Sequence, residues 1–399
     1  MATMGPEGGA GGAGLLGGAG GAGGAGGAGG AGGAGGAGGA GGASYGGYGS
    51  LIVSDALIKQ RDGIVGNWLG QTITPPPRYL DDKTNLYAWE PWVRAAIIDF
   101  DLLSHLYFSR HTENFSYQDN GQTVTKTSND AMTIWHLHFA STAAPTATSS
   151  RVATFIRPTD STFTKQLDFL DQYSDLREDR ASEILSELGA PYAFWSSVVN
   201  LHPDRTKRTI ELIDAALRLA NFVEMRIKHA FACRRPNELS SQVQPIILTP
   251  GHGAFPSGHA TECHMVARVL WELLGKGADL GEQLMREAAR ISVNRTVAGV
   301  HFPVDTAAGQ VLGLTLGRYF IQRATGTGSG SPPFDAWRFD GERYPDRLDF
   351  DFHHFTPAMD TERPHPGIVP PFVDPIDSQW PERSDVLGWL WDEAKTEWK

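Results

Sequence analysis

The chain has little cysteine, no long apolar run and no basic residue near its start. Its two cysteines, Cys233 and Cys263, are too few for a disulfide framework, so we expect buried, reduced thiols. No stretch approaches the roughly 18 apolar residues that a membrane-spanning helix needs. The first basic residue is Lys59, so the charged region that opens a signal peptide is missing. We therefore expect a cytoplasmic protein with no membrane partner.

Basic residues are also scarce relative to acidic ones. The chain has 34 Lys and Arg against 45 Asp and Glu, which gives a formal net charge of −11. An excess of negative charge disfavours nucleic acid and anionic membrane surfaces as partners. Any site for an anion must therefore be a local concentration of basic residues.

Glycine is abundant only at the beginning of the chain. Residues 1–49 are almost entirely glycine and alanine, with nine consecutive Gly-Gly-Ala triplets from Gly17 to Ala43 and no proline among them. Collagen needs one glycine in three and abundant proline, which excludes that structure. The tract has little apolar surface to offset the entropy of ordering glycine, so it is predicted to be a disordered tail.

Helical spacing of apolar residues dominates the rest of the chain. Residues 110–160 carry polar, β-branched runs and are predicted to be loops or a short hairpin. The stretch from 326 to about 383 is rich in Pro and Asp without periodicity, which predicts an irregular wrap. Helices are predicted at 89–108, 161–188, 204–231, 259–275, 281–300, 306–323 and 384–399.

Three short blocks contain the residues that indicate a reactive site. They are KHAFACRRP (228–236), PSGHA (256–260) and RTVAGVHFPVD (295–305). Arginine forks and a lysine ammonium bind tetrahedral oxyanions, and a glycine at the start of a helix adds a backbone N–H. Two histidines, His259 and His301, add nucleophilic and acid–base capacity. Together the blocks predict a site that holds an oxyanion and does chemistry on it.

In this order and spacing the blocks resemble the superfamily of vanadium-dependent haloperoxidases and type 2 phosphatidic acid phosphatases. That family has Lys-x6-Arg-Pro, then Pro-Ser-Gly-His, then Ser-Arg-x5-His-x3-Asp. The chain departs from it once, with Asn294 in place of the serine before the third-block arginine. The resemblance covers residues 228–305 and implies a mainly α fold, a helical bundle of the haloperoxidase and acid phosphatase type. With it we predict four regions: the tail (1–49), an N-terminal helical region (50–200), a catalytic bundle (201–325), and an irregular wrap ending in a helix (326–399).

The resemblance also implies a role for each matching residue. His301 would be the axial ligand of vanadium in a peroxidase or the nucleophile in a phosphatase, and His259 the acid–base residue. Asp305 would orient His301, as carboxylates often orient ligating histidines. The oxygens of vanadate or phosphate would be bound by Lys228, Arg235, Ser257, Gly258 and Arg295.

Several of these residues also have ordinary structural interpretations. Lys228 and Arg235 could be exposed cations near a helix end, Ser257 a simple helix cap, and Asp305 the cap of the next helix. His252 resembles a second histidine found there in many bromide-oxidising members, where chloride-oxidising members tend to have phenylalanine. A histidine in a glycine-rich loop is otherwise most often exposed to solvent.

The remaining histidines give weaker signals. His136 and His138 alternate along the chain, but the sequence offers no partner ligand, so they are interpreted as core or surface residues. Glu262 and His264 follow His259 along its helix and are expected to border the pocket without taking part in the reaction. The pair His353-His354 carries no usable signal.

The leading functional prediction is a vanadate-dependent peroxidase. It would use hydrogen peroxide to oxidise bromide or iodide rather than chloride, and the hypohalous acid would react with an organic acceptor. His252 and the large helical regions around the motif favour it. The alternative is an acid phosphatase acting through a phosphohistidine on a soluble phosphomonoester, with no cofactor. Two thiols near the site favour that alternative, because hypohalite oxidises thiols. A binding protein without turnover would need a missing histidine, and both are present. The sequence leaves open a homo-oligomer.

Overall fold

The computed structural model describes residues 51–399 except 71, 76, 78, 81, 83, 140–145, 276, 327–335, 357–368 and 380. The glycine-rich tract, predicted to be a disordered tail, lies outside the described residues. Residues 98–399 belong to one compact unit, and the described residues before Ile98 belong to another. Across the described part of the chain, no helix has the length and apolarity needed to cross a bilayer.

The described residues contain eleven α-helices, and these include every helix that the apolar spacing predicts. The predicted segment 161–188 is divided into two helices at Asp175, and the others agree with prediction within a few residues. Their bounds are α1 Leu51–Val65, α2 Pro91–Ser104, α3 Asp160–Ser174, α4 Arg177–Ser186, α5 Tyr192–Val199, α6 Lys207–Phe231, α7 Pro236–Leu239, α8 Gly258–Leu273, α9 Ala278–Val297, α10 Pro303–Thr325 and α11 Asp385–Thr396.

The helix that opens with the PSGH block lies at the centre of the large unit. α8 packs against α6, α9 and α10, and nearly all of its residues are buried. Its crossing with α10 is close because α10 presents glycines there. A Cβ atom added at Gly313 would lie 2.3 Å from the main-chain oxygen of Thr261, and one at Gly309 would lie 2.6 Å from the Cβ of Ala260. This close approach places the third motif block directly against the second.

Replacing Gly313 with alanine is expected to lower the free energy of unfolding by about 1–3 kcal/mol, the usual cost of overpacking. The added methyl group meets backbone rather than a movable side chain. Chemical denaturation would measure the change. Gly63→Ala is the matched control, because Gly63 also lies in a helix but has open space where a Cβ would be. At Gly63 the better helix propensity of alanine should leave the free energy of unfolding equal or higher. If Gly313→Ala lowered the free energy of unfolding no more than Gly63→Ala does, the close packing at Gly313 would be contradicted.

The predicted fold class was wrong, because the unit also contains a five-stranded mixed sheet. The order across the sheet is that of the chain, and only the β3–β4 pair is parallel. A sheet of this size cannot be described as part of a helical bundle. The strands are β1 Leu106–Asp119, β2 Gln122–Phe139, β3 Ala147–Ile156, β4 Ala336–Asp340 and β5 Val373–Ile376.

The first two strands form a long hairpin that had been predicted as loops or a short hairpin. They meet at Asn120-Gly121, and both residues have positive φ, 49° and 80°. Asn-Gly favours this backbone and matches the twist of paired strands, so it is a strong hairpin signal. The predicted helix 89–108 also ends early, at Ser104, because Tyr107 and Phe108 belong to β1.

The segment after α10 is less irregular than predicted. β4 and β5 pair with each other, and β4 joins the sheet through β3. All five residues of β4 are buried, so this part of the chain completes the core rather than covering it. The terminal helix is confirmed as α11, which packs on α6 and α10. Residues 327–335 and 357–368 of the predicted wrap lie outside the described residues.

Candidate functional site

The end of one helix and the start of another bring two buried cations to one loop. α6 ends where Ala232 adopts a left-handed backbone (φ 47°), and Lys228 lies in its last turn. The ammonium of Lys228 donates to two carbonyl groups of the loop 252–254, each at 3.2 Å. Nε of Arg235 donates to a third carbonyl of that loop at 3.1 Å. Both side chains are 1% exposed, which rules out the interpretation as surface cations.

The hydrogen bonds around His301 determine which of its nitrogens carries the proton. Nη1 of Arg235 lies 3.0 Å from Nε2 of His301, and a guanidinium can only donate. Nε2 is therefore the acceptor, and Nδ1–H donates to Oδ2 of Asp305 at 2.9 Å. All three side chains are buried. The imidazole is thus held as the tautomer in which the lone pair of Nε2 lies beside the cation.

Asp305 combines the two roles that the sequence left open. Its Oδ2 also accepts from the main-chain N–H of Phe302 at 3.0 Å, in the first turn of α10. It therefore caps the helix and orients His301 with the same oxygen. The main-chain oxygen of Asp305 accepts from the N–H of Ser257 at 2.9 Å, which ties the third motif block to the second.

Ser257 is the N-cap of α8, and its hydroxyl accepts from the N–H of Ala260. Gly258 follows at the first helical position, where a free N–H favours an anion. A Cβ atom there would lie 2.5 Å from Oε1 of Glu224, so any other residue would force that carboxylate to move. Glu224 is fully buried on α6 and was not predicted. Its position four residues before Lys228, on the same face of the helix, is a signal that was present in the sequence.

The guanidinium of Arg295 has unused hydrogen-bonding capacity. It lies in the last turn of α9, is completely buried, and its Nη2 donates to Glu187. Its Nε and Nη1 have no hydrogen-bond partner among the described residues. Buried donors without partners are costly, and two on one arginine point to an oxyanion that accepts from both.

Glu187 is the residue that the sequence analysis missed most completely. It is completely buried just after α4, and its carboxylate accepts from Arg295 and from Nδ2 of Asn294, the latter at 2.7 Å. Its main-chain oxygen lies 2.8 Å from Nε2 of His259. Burial raises the pKa of the Glu187 carboxyl, although the charge of Arg295 opposes this. Asn294, the one departure from the family motif, thus donates to the carboxylate beside the site.

His252 lies in the site rather than in solvent. Its Nδ1 accepts from Nη2 of Arg235 at 3.2 Å, so one arginine contacts both His252 and His301. The structure therefore places His252 beside the guanidinium of Arg235, which also contacts His301. Its part in any reaction stays a prediction.

The two cysteines are structural. Both are free and buried, as expected. Burial raises the pKa of Cys233 to about 12 and that of Cys263 well above its usual range, so both stay protonated. Protonated, enclosed thiols are poor targets for oxidants. The presence of two cysteines near the site is therefore weak support for the phosphatase alternative.

Hydrogen bonds of the described residues connect the predicted site residues in two groups. Lys228, Arg235 and His252 share the loop 252–254, and His301 with Asp305 connects that loop to the start of α8. His259 and Arg295 are connected to each other through Glu187, and His259 directly follows Gly258 in α8. The arrangement can hold a tetrahedral anion, present it to a lone pair on nitrogen, and exchange a proton with it.

Residues 213–326 match the model of the PAP2 superfamily. This part of the chain is therefore similar to PAP2 superfamily domains. The match encloses all three motif blocks and confirms the predicted superfamily. It supports an enzyme, without distinguishing the peroxidase and phosphatase branches.

The chain is also similar to a solved structure, the first transmembrane PAP2-type phosphatidylglycerolphosphate phosphatase from Bacillus subtilis. The identity is 18%, the TM-score 0.31, and the likeness covers 40% of this chain and 83% of that one. At that TM-score it carries no argument about this chain. No curated protein sequence matches the chain significantly.

Proposed function

We propose that this protein is a phosphatase that hydrolyses a phosphomonoester through a phosphohistidine at His301. The observation that carries the proposal is the pair of unpartnered N–H groups on buried Arg295, in the same motif block as His301, a histidine whose nucleophilic lone pair is fixed. A phosphoryl group supplies the oxygens that these donors lack. The PAP2 domain supports this assignment, since phosphatases are one of the two activities of the superfamily.

In the first step a phosphoryl oxygen replaces Nε2 of His301 as the acceptor for Nη1 of Arg235, which frees the Nε2 lone pair. Nε2 then attacks phosphorus, and the bond to the leaving alcohol oxygen breaks. Donors from Lys228, Arg235 and Arg295 stabilise the charge on the phosphoryl oxygens. His259 protonates the leaving oxygen. The main-chain oxygen of Glu187 can only accept, so Nε2 of His259 keeps its proton and Nδ1 is the atom that exchanges one.

In the second step His259 takes a proton from water, and the resulting hydroxide attacks phosphorus and releases His301 with free phosphate. Asp305 stabilises the positive charge that His301 acquires while phosphorylated, because its carboxylate accepts the hydrogen bond from Nδ1–H throughout. The two histidines thus divide nucleophilic and acid–base work.

A vanadate titration tests the proposal, because vanadate should inhibit a phosphatase but activate a peroxidase. Purified protein, freed of bound anions, would be assayed with p-nitrophenyl phosphate while vanadate is added. A phosphatase should be inhibited, since vanadate occupies the phosphoryl site. Hydrolysis that is absent before addition, together with bromide oxidation by hydrogen peroxide that appears only with vanadate, would overturn the proposal in favour of the peroxidase.

His259→Ala is expected to lower the rate of hydrolysis by about 10²-fold or more while leaving anion affinity nearly unchanged, because an acid–base group is lost and the cage is kept. The loss should shrink for substrates whose leaving group is a weak base, since these need no protonation. Comparing kcat/KM for aryl and alkyl phosphates would measure this, because kcat/KM reports the phosphorylation step and not the later attack of water, in which His259 also acts. An equal loss of kcat/KM on both classes would contradict the acid role.

The second candidate is the vanadate-dependent peroxidase, which the contact between His252 and Arg235 favours. The donor set fits vanadate: Arg295 has unpartnered N–H groups and His301 has a nitrogen lone pair. Lys228, Arg235 and Gly258 would bind vanadate oxygens, and bound vanadate would supply a Lewis-acid centre. His259 would then deliver protons.

His252→Phe separates the two candidates at one side chain. If the protein is a peroxidase, the variant should lower bromide turnover and shift the pH optimum, because a titratable group beside Arg235 is lost. In a phosphatase the same change should mainly weaken substrate binding. Rates measured across pH for both reactions would show the difference, and an unchanged profile and halide ratio would leave His252 without a catalytic role.

A further inference from the structure

A second cluster of reactive side chains lies away from the proposed anion site. His136 and His138 alternate along β2 and so face the same side, and Glu382 reaches them from the segment before α11. The carboxylate lies 2.6 Å from Nε2 of His136 and 3.0 Å from Nδ1 of His138. The sequence showed no partner for these histidines because Glu382 is distant along the chain.

The other nitrogen of each ring, the one turned away from Glu382, also has a partner. Nδ1 of His136 lies 2.9 Å from the hydroxyl of Tyr319, and Nε2 of His138 lies 2.8 Å from the hydroxyl of Ser150. Histidines that bind metals almost always have a hydrogen-bond partner on the other ring nitrogen, which fixes the tautomer and the ring orientation. Here both rings are fixed in this way, and their remaining nitrogens converge on one carboxylate.

Ser150 lies between His138 and the main chain. Its hydroxyl lies 2.8 Å from Nε2 of His138 and 3.4 Å from the main-chain oxygen of Gln379. When the hydroxyl accepts from Nε2–H of His138, the lone pair of Nδ1 is directed at the carboxylate of Glu382, 3.0 Å away. In that tautomer a cation, either a proton or a metal ion, is needed between Nδ1 and the carboxylate.

The surroundings hold Glu382 in place without competing for its carboxylate. Its main-chain oxygen accepts from Arg323 at 2.8 Å, and the guanidinium of Arg323 also pairs with Asp101 at 2.7 Å. His105 stacks on His136 with ring centroids 5.5 Å apart, which closes one side of the cluster. The side chain of Glu382 is 47% exposed, so a metal ion and a water ligand can reach it from solvent.

We propose that His136, His138 and Glu382 bind one divalent transition-metal ion, with Zn²⁺ the best match. Two imidazole nitrogens and one carboxylate suit zinc, whereas Mg²⁺ and Ca²⁺ prefer oxygen ligands. Tetrahedral coordination at normal bond lengths puts ligand atoms about 3.3 Å apart. The candidate atoms lie within 4.8 Å of one another, so binding requires adjustments of roughly 1 Å, which the exposed side chain of Glu382 can contribute. The ion would join β2 to the segment that leads into α11.

The test uses untagged full-length protein, dialysed against a chelator and then titrated with Co²⁺ and with Zn²⁺. We expect one ion per chain with micromolar or tighter affinity, a tetrahedral Co²⁺ absorption spectrum that Zn²⁺ abolishes, and a melting temperature raised by several degrees. Binding should be lost in His138→Ala and in Glu382→Gln. The exposed position of Glu382 makes its variant unlikely to unfold the protein.

Two controls give the titration its specificity. His353→Ala removes a half-exposed histidine that contacts Asp351 at 2.9 Å, a histidine–carboxylate pair without a second histidine ligand. It should bind Co²⁺ as the wild type does. His301→Ala should do the same, which separates this cluster from the anion site. No Co²⁺ binding in the millimolar range, or binding retained in Glu382→Gln, would overturn the proposal and leave a shared proton between His138 and Glu382.

Discussion

Replacing His301 with alanine is expected to abolish turnover, with a loss of at least about 10³-fold, the scale for removing a nucleophile. No neighbouring group replaces its nitrogen, because the guanidinium of Arg235 has no lone pair to offer and the carboxylate of Asp305 lies on the far side of the ring, at Nδ1. The same variant should lose activity if the protein uses vanadate. Initial rates with p-nitrophenyl phosphate would measure the loss.

A second readout links this loss to chemistry rather than to folding. Wild-type protein quenched in base during turnover of ³²P-labelled substrate should carry an acid-labile, base-stable phosphoryl group, and His301→Ala should carry none. Because His301 is completely buried, the melting temperature of the variant must be measured as well. A folded His301→Ala protein that still forms the labelled intermediate would remove His301 from the role of nucleophile.

The helical part of the fold could be predicted because its signals are local. Apolar spacing located α6, α8, α9, α10 and α11 to within a few residues. The sheet was missed for two different reasons. The hairpin of β1 and β2 had a local signal in Asn120-Gly121 that was overlooked. The pairing of β3 with β4 joins Ala153 to Trp337, and no local pattern encodes such a contact.

The candidate site divides in the same way. The motif residues could be named because their spacing is compact and their chemistry is shared. Glu187 could not, since its partner Arg295 lies in another helix far along the chain and a glutamate near a helix end looks ordinary. Glu382 was missed for the same reason, and with it the grouping of His136 and His138. Side chains that complete a site from a distance become visible only in the fold.

Glu187→Ala is expected to lower the free energy of unfolding by about 3–5 kcal/mol, the range for removing one partner of a buried ion pair. Arg295 and Glu187 are both completely buried, so the variant leaves an uncompensated guanidinium in the core. The amide of Asn294 loses the shorter of its two hydrogen bonds to carboxylates and keeps the one to Glu183. Denaturant titration would measure the effect, and added phosphate should restore part of the stability by occupying the free donors of Arg295.

Glu183→Ala is the matched control, on the same helix one turn earlier. Its carboxylate pairs with Arg290 at 2.7 Å, but both side chains are partly exposed, at 30% and 45%. Exposed pairs contribute about 0–1 kcal/mol, so this variant should be close to wild type. Equal losses in the two variants would mean that the Glu187 pair is solvated like a surface pair. A larger stabilisation by phosphate in Glu187→Ala than in Glu183→Ala or the wild type would place the anion beside Arg295, because its guanidinium has lost its carboxylate partner only in Glu187→Ala.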